Sequence, residues 1–252
     1  MKETNKNVKI QKVIKIVMLA VIIGTIAFSV ISCKWTVGLV RGSGDTEKVE
    51  REVHGFDEVY LTGVGNLIID QGDEESLLIE ADDNIIPLIE TDVSGDRLTI
   101  GFKRGYNFIP NVKIKFHLTV IELDKISISG AGDIDCDDFN TDRLEFEISG
   151  AGDINFNIDA DRVETKSSGA GDITLKGIVD SQEVNMSGAG RYNARELKSK
   201  ECRIQISGAG SATVNVSESL DVNISGVGNV YYIGDPDIDK SISGLGRVKS
   251  ID

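Results

Sequence analysis

Three aspartates recur at matched places. Asp133, Asp153 and Asp172 each follow a Gly-x-Gly triplet, at intervals of 20 and 19 residues. If that interval is one turn of a stacked β structure, the carboxylates line one edge about 5 Å apart. Oxygen ligands at that pitch suit Ca²⁺. Calcium-binding β-rolls, however, repeat their glycine–aspartate motif as nonapeptides. The next place in this series also holds Arg191, which can pair with Asp172. Solvated carboxylates beside a cation are the expectation, and no metal or other cofactor is expected. A second cluster, Lys103-Arg104-Gly105-Tyr106-Asn107-Phe108, is the one basic and aromatic run in an acidic chain. Aromatic faces with cationic neighbours at Lys103, Arg104, Tyr106 and Phe108 suit sugars or acidic polymers. The same loop could instead fold Tyr106 and Phe108 over the open end of a repeat stack as a cap.

Little else could do chemistry. His54 and His117 are the only histidines and lie in different settings. Cys136 and Cys202 fall on the inward parity of their strands, several repeats apart, so buried free thiols are expected. There is no nucleophile–base pair, zinc-ligand spacing or phosphate loop, and Gly-x-Gly here lacks the third glycine and following helix of a dinucleotide fingerprint. The chain reads as a non-enzyme.

Charge divides the 252 residues unevenly. Net charge is −14, yet residues 1–32 carry five lysines and one glutamate, leaving −18 on residues 33–252. That field repels phosphate backbones, which excludes nucleic acid as a partner. The leading lysines, Lys2 to Lys15, precede an almost continuous apolar stretch from Ile16 to Ile31, the pattern of an export signal. It closes on Val30-Ile31-Ser32-Cys33, which resembles the bacterial lipobox: branched apolar residue, tolerant position, small residue, cysteine. The thiol of Cys33 would take the lipid and become the first mature residue. The alternative is an uncleaved helix, because the run reaches the lower limit for spanning a bilayer. Either way the membrane is a partner through the N-terminus, and the rest lies outside. The address is the outer side of the cytoplasmic membrane or the outer membrane. Residues 33–48, with Gly42-Ser43-Gly44-Asp45, read as a tether.

The elements that must position these residues are repeats. Ser/Thr-Gly-x-Gly begins at Thr62, Ser129, Ser149, Ser168, Ser187, Ser207, Ser225 and Ser243. From Gly130 onward the spacing is 18 to 20 residues, and the middle residue is Ala five times, then Val227 and Leu245. Flanking residues alternate with period two, which means strands. Ile128, Ile148, Ser167, Met186, Ile206, Ile224 and Ile242 stand two before the first glycine, and Ile134, Ile154, Ile173, Tyr192, Ala212, Val230 and Val248 four after it. One such unit cannot bury its apolar side alone, whereas stacked units can. The expected fold is all-β, a right-handed parallel β-solenoid of about 19 residues per coil. Its glycines supply corner dihedrals and its middle alanines plug the corner inward. Residues 49–252 form this domain, with 126–252 regular and 49–125 a less regular opening part. There, Val59, Leu61, Val64, Leu67 and Ile69 keep the same register around Thr62-Gly63-Val64-Gly65, and strand-like runs follow at 76–81, 97–102 and 112–120.

The Ser-Gly-Ala-Gly-Asp-Ile runs at 129–134, 149–154 and 168–173, with the Asp82-Asp83-Asn84 turn and the Leu98-Thr99-Ile100 strand, resemble the domain-of-unknown-function 2807 family. It is also called the auto-transporter adhesin head GIN domain family. The resemblance covers residues 50–250 and implies a β-helix-like fold on the bacterial surface, with no catalytic residues to transfer. The expected function is a lipid-anchored adhesion, binding or scaffold module of the cell envelope, with a glycan or envelope protein as ligand. The alternatives are an envelope sensor or assembly partner of another exported protein, and a polysaccharide lyase or hydrolase on a β-helix.

Overall fold

Strict alternation of apolar and polar residues gives strands, and the recurrence of that alternation every 18 to 20 residues lets each strand lie on the last. The computed structural model describes residues 38–108 and 113–251. In chain order it contains β1 (Gly38–Val40), β2 (Thr46–Arg51), β3 (Glu58–Leu61), β4 (Asn66–Gln71), β5 (Ser76–Asp82), a 3-10 turn (Ile86–Leu88), β6 (Ile89–Ser94), β7 (Arg97–Phe102), β8 (Tyr106–Phe108), β9 (Lys115–Val120) and β10 (Lys125–Ile128). The regular part follows as β11 (Ile134–Ile148), β12 (Ile154–Ser167), β13 (Ala170–Met186), β14 (Ala189–Ile206), β15 (Ala209–Ile224), β16 (Val227–Ile233), β17 (Asp237–Ile242) and β18 (Leu245–Ser250). The expected signal segment, residues 1–32, and Cys33 lie outside the described residues.

From β10 onward every ladder is parallel. Ile134 aligns with Ile154, Ile173, Tyr192, Ala212 and Val230 in turn. Phe146 aligns with Thr165, Val184, Ile204 and Val222. All of these are buried to within 1%, so two inward columns form the core. Phe139, Phe146 and Phe156 pack edge to face inside it, with ring centroids 5.2 and 5.8 Å apart. Full burial of each such side chain stabilises by roughly 1.5–3 kcal/mol, which a single coil could not realise. The stacked coils, about 19 residues each, make a β-solenoid of about seven turns.

The corners differ from expectation in two ways. None of the regular corner glycines from Gly130 to Gly246 has a positive φ. Glycine is required by close approach instead. A Cβ on Gly150 would lie 1.9 Å from the Gly130 carbonyl oxygen, one on Gly169 2.0 Å from that of Gly150, and one on Gly188 2.0 Å from that of Gly169. Nor do the middle residues plug the corner. Ala131, Ala151, Ala170, Ala189 and Ala209 are exposed, as are Val227 at 58% and Leu245 at 76%. The two flanking glycines already bring the backbones together, so the intervening side chain is turned outward.

The opening part is built from the same coils, in a different order. The corner at Thr62–Gly65 lies against the Gly130–Gly132 corner, so that Val64 bridges Ala131. Strand β3 lies between β10 and β7, and β4 between β11 and β9. The coil made by β7 and β9 therefore stacks outside the coil made by β3 and β4, although it comes later in the chain. Antiparallel strands finish this end: β6 on β7, β5 on β9, and β2 on β5. They are the cap that a repeat stack requires. From Leu39 onward the chain is one compact unit.

Candidate functional site

The aspartate ladder is a coil-to-coil staple. Asp133 accepts a hydrogen bond from the Asp153 backbone N–H at 3.0 Å, and Asp153 accepts one from the Asp172 N–H at 2.8 Å. Asp172 accepts from the Arg191 N–H at 3.0 Å and pairs with its guanidinium at 2.9 Å. Each carboxylate thus faces the amide of the next coil. Among the described residues, no three histidine, cysteine or acidic side chains gather to hold a metal ion.

The strand that precedes each corner presents two outward columns. One reads Arg97, Glu58, Lys125, Glu145, Glu164, Glu183, Arg203, Asp221 across the ladders. Its charges are tied together: Arg97 to Glu58 at 3.0 Å, Lys125 to Glu145 at 3.1 Å and to Glu147 at 2.6 Å, Lys166 to Glu145 at 3.1 Å and to Glu164 at 2.8 Å. Arg97 also stacks on Tyr60, 3.9 Å from the ring centroid. Burial alone would lower the Lys125 pKa, but hydrogen bonds to Glu147 and Glu145 outweigh it and raise it. Lys166 lies beside Glu164 and lowers that carboxyl. These pairs satisfy one another across coils.

Beyond Lys166 the second column loses its charge. It runs Glu147, Lys166, Asn185, Gln205, Asn223, Ser241. Between its amides and the corner serines lies an open groove of about 500 Å³, whose lining includes Asn185, Gln205, Asn223, Ser187, Ser207 and Ser225. None of these six side chains has a hydrogen-bond partner among the described residues. A face of unused amides and hydroxyls, repeated once per coil at about 4.8 Å, can bond to an extended, hydroxyl-rich polymer. Sequence reading missed this site. Its signal was available three residues before each first glycine, where Glu147 and Lys166 give way to Asn185, Gln205 and Asn223.

The basic, aromatic loop stands where the coil of β7 and β9 would otherwise have its corner. The Phe102 ring covers Gly63, where a Cβ would lie 2.3 Å from it. Phe108 packs on Phe102 with centroids 4.4 Å apart. The loop thus closes the corner column, while β6 and β5 cover the outer edges of β7 and β9, and β2 covers β5. Tyr106, in the same loop, is 43% exposed. Lys103, Arg104, Tyr106 and Phe108 line a trough of about 590 Å³ with Leu39, Val64 and Ala131.

Both described cysteines are free and buried. Burial pushes the Cys136 thiol up to about 12 and that of Cys202 higher still. Near Cys202 the core contains a polar chain: Tyr192 donates to Gln182 at 2.9 Å, Gln182 to Ser199 at 2.8 Å, and Ser199 to the Asn215 carbonyl at 3.1 Å. Burial raises the Tyr192 phenol well above its usual value, so it remains a donor.

A family model described as "Putative auto-transporter adhesin, head GIN domain" matches residues 55–236. A putative adhesin from Bacteroides fragilis is 28% identical with a TM-score of 0.81, covering 84% of this chain and 100% of its own. A putative lipid binding protein from Parabacteroides distasonis is 25% identical with a TM-score of 0.68, covering 84% and 99%. A putative adhesin from Parabacteroides merdae shares the fold at 20% identity and a TM-score of 0.67, covering 85% and 100%. No curated protein matches the chain.

Proposed function

The chain belongs to the auto-transporter adhesin head GIN domain family, and from that premise we propose that it is an exported, membrane-anchored binding module that grips an envelope polymer along its amide groove. Two solved relatives carry the names putative adhesin and putative lipid binding protein, which supports binding without turnover. The observation that carries the reading is the groove itself. Asn185, Gln205, Asn223 and the serines beside them have no hydrogen-bond partners among the described residues, while Lys125, Glu145, Glu164 and Lys166 on the same face are occupied with one another. Donors and acceptors left open at every coil favour a neutral, hydroxyl-rich ligand that lies across several coils. Cys33 holds the lipid in this reading, and the signal before it directs export to the outer side of the membrane.

Two measurements test the reading. The fragment from residue 34, which contains the compact unit from Leu39 onward, is assayed against envelope polysaccharides and an oligosaccharide array. Retention should fall about 100-fold when Asn185, Gln205 and Asn223 become Ala together, since each hydrogen bond is worth about 1 kcal/mol. The melting temperature should hold. Retention that ignores the triple substitution sinks the groove, and release of unsaturated or reducing sugar would make the protein an enzyme. In cells, Cys33→Ala should abolish fatty-acid labelling and leave an unprocessed precursor.

A further inference from the structure

The loop at the end of the corner column has a chemistry that the groove lacks. Lys103 and Arg104 are exposed and have no ion-pair partner among the described residues, whereas Lys125, Arg143, Arg162 and Lys166 are paired. Beside them, Leu39 is 68% exposed, and Leu39, Tyr106 and Phe108 line an open trough. An apolar floor under a cationic rim complements an anionic amphiphile. The place of this patch in the chain adds a second, independent observation. Strand β1, which carries Leu39, pairs with β8, which carries Tyr106 and Phe108. The chain therefore joins the fold at this patch. Leu39 is six residues beyond Cys33, a reach of at most about 22 Å even when fully extended.

We propose that Lys103, Arg104, Tyr106 and Leu39 form a foot that rests on an anionic lipid bilayer, next to the anchor. The two cations meet lipid head groups, and Tyr106 and Leu39 enter the interface, where an amphipathic ring and an apolar side chain are favoured. Salt screens that part of the acidic charge of residues 33–252 which lies more than about 8 Å from the patch. The cellular setting rests on the export-and-anchor reading; the chemistry of the patch does not.

The fragment from residue 34, which carries no lipid, is sedimented with vesicles of phosphatidylcholine alone and of phosphatidylcholine with phosphatidylglycerol. It should bind the anionic vesicles only, and less as salt rises. Lys103→Gln with Arg104→Gln should weaken that binding about 25-fold, since one basic residue near such a surface contributes about fivefold. Leu39→Ser should weaken it further. These side chains are exposed, so thermal melts of the variants should match the parent. Equal binding to both vesicle types, no binding, or binding that survives the double substitution overturns the proposal. So does retention on an acidic polysaccharide in place of vesicles, lost in the same variant, which would give the loop to a polymer. Fatty-acid labelling of Cys33 is read separately, so a failed foot and a failed anchor are distinguishable.

Discussion

Replacing Gly150 by Ala should be among the most damaging single changes on the surface of this domain. The added Cβ would lie 1.9 Å from the Gly130 carbonyl oxygen, where ordinary contact begins at 3.4 Å. The two coils must part by more than 1 Å at that point, against a ladder spacing of about 4.8 Å. Three hydrogen bonds cross there: Ser149 N–H to Ile128 at 2.9 Å, Gly150 N–H to Ile128 at 3.2 Å and Ala151 N–H to Gly130 at 2.9 Å. Losing two of them at about 1 kcal/mol each, with about 1–3 kcal/mol of overpacking, gives a cost of roughly 3–5 kcal/mol. In a domain of this size that lowers the melting temperature by about 6–20 °C. Two controls separate crowding from backbone strain. Gly95 has φ +61° with nothing within 4 Å of its added Cβ, so Gly95→Ala should cost only about 1–2 kcal/mol. Ala151 is exposed, so Ala151→Lys should fall within about 0.5 kcal/mol of the parent. Urea unfolding of the three variants gives the comparison. If Gly150→Ala costs no more than Gly95→Ala, or Ala151→Lys costs as much as Gly150→Ala, the close-approach argument is wrong.

Tyr192→Phe leaves the buried Gln182 carbonyl without its donor and should cost about 1–3 kcal/mol in chemical unfolding; a neutral result would mean that the polar chain is not holding the core. Burial raises the Glu145 pKa, but Lys166 and Lys125 outweigh it, and Glu145 and Glu164 both stay below the usual 4.5. Their folded values lie under the unfolded ones, so the stability they confer is complete above about pH 4.5 and lost as pH falls through the lowered values. Lys166→Met should flatten this acid limb in melts from pH 6 to 3, and an unchanged limb would remove the ion-pair lattice as its cause. Deleting Gly188–Ser207 removes one coil and joins Ser187 to Gly208, so the product should still unfold cooperatively by circular dichroism. Deleting only Gly188–Leu197 leaves a corner with no partner and should unfold the stack; equal melts for the two deletions would show that the coil boundaries are misplaced.

The inward columns were legible because burial on one side of a strand writes itself as period two, and Ile134, Ile154 and Ile173 recur at the coil interval. The direction of the corner alanines was not, since an alanine facing solvent and one facing a core are the same letter. The need for glycine was readable, but its cause was not. Close approach depends on a carbonyl about 20 residues away, whereas a positive φ is a local property. The order of the first coils was hidden for a related reason: Gly63 meets Gly130, and nothing between them marks β7 and β9 as belonging outside β3 and β4. Gln182 and Ser199 break the apolar pattern at inward positions, and only their hydrogen bonds show why the interior accepts them. The groove was overlooked because its residues are ordinary ones. It is the absence of partners that singles out Asn185, Gln205 and Asn223, and partners are a property of the fold.

The displaced order of the first coils has a mechanical consequence. Under a load drawn from the last coil, each parallel ladder is an end layer held on one side only, so β18 and β17 can peel away, then β16, then β15, coil by coil. That progress stops at β3. It is clamped between β10 and β7, and the chain that leaves it returns on the far side before it passes back over. The block from residue 58 to residue 120 must then yield as one, because no layer in it is the end of the stack in both space and sequence. A chain loaded in this way can spend its outer coils as slack while the end finished by β2, β5 and β6 holds its form.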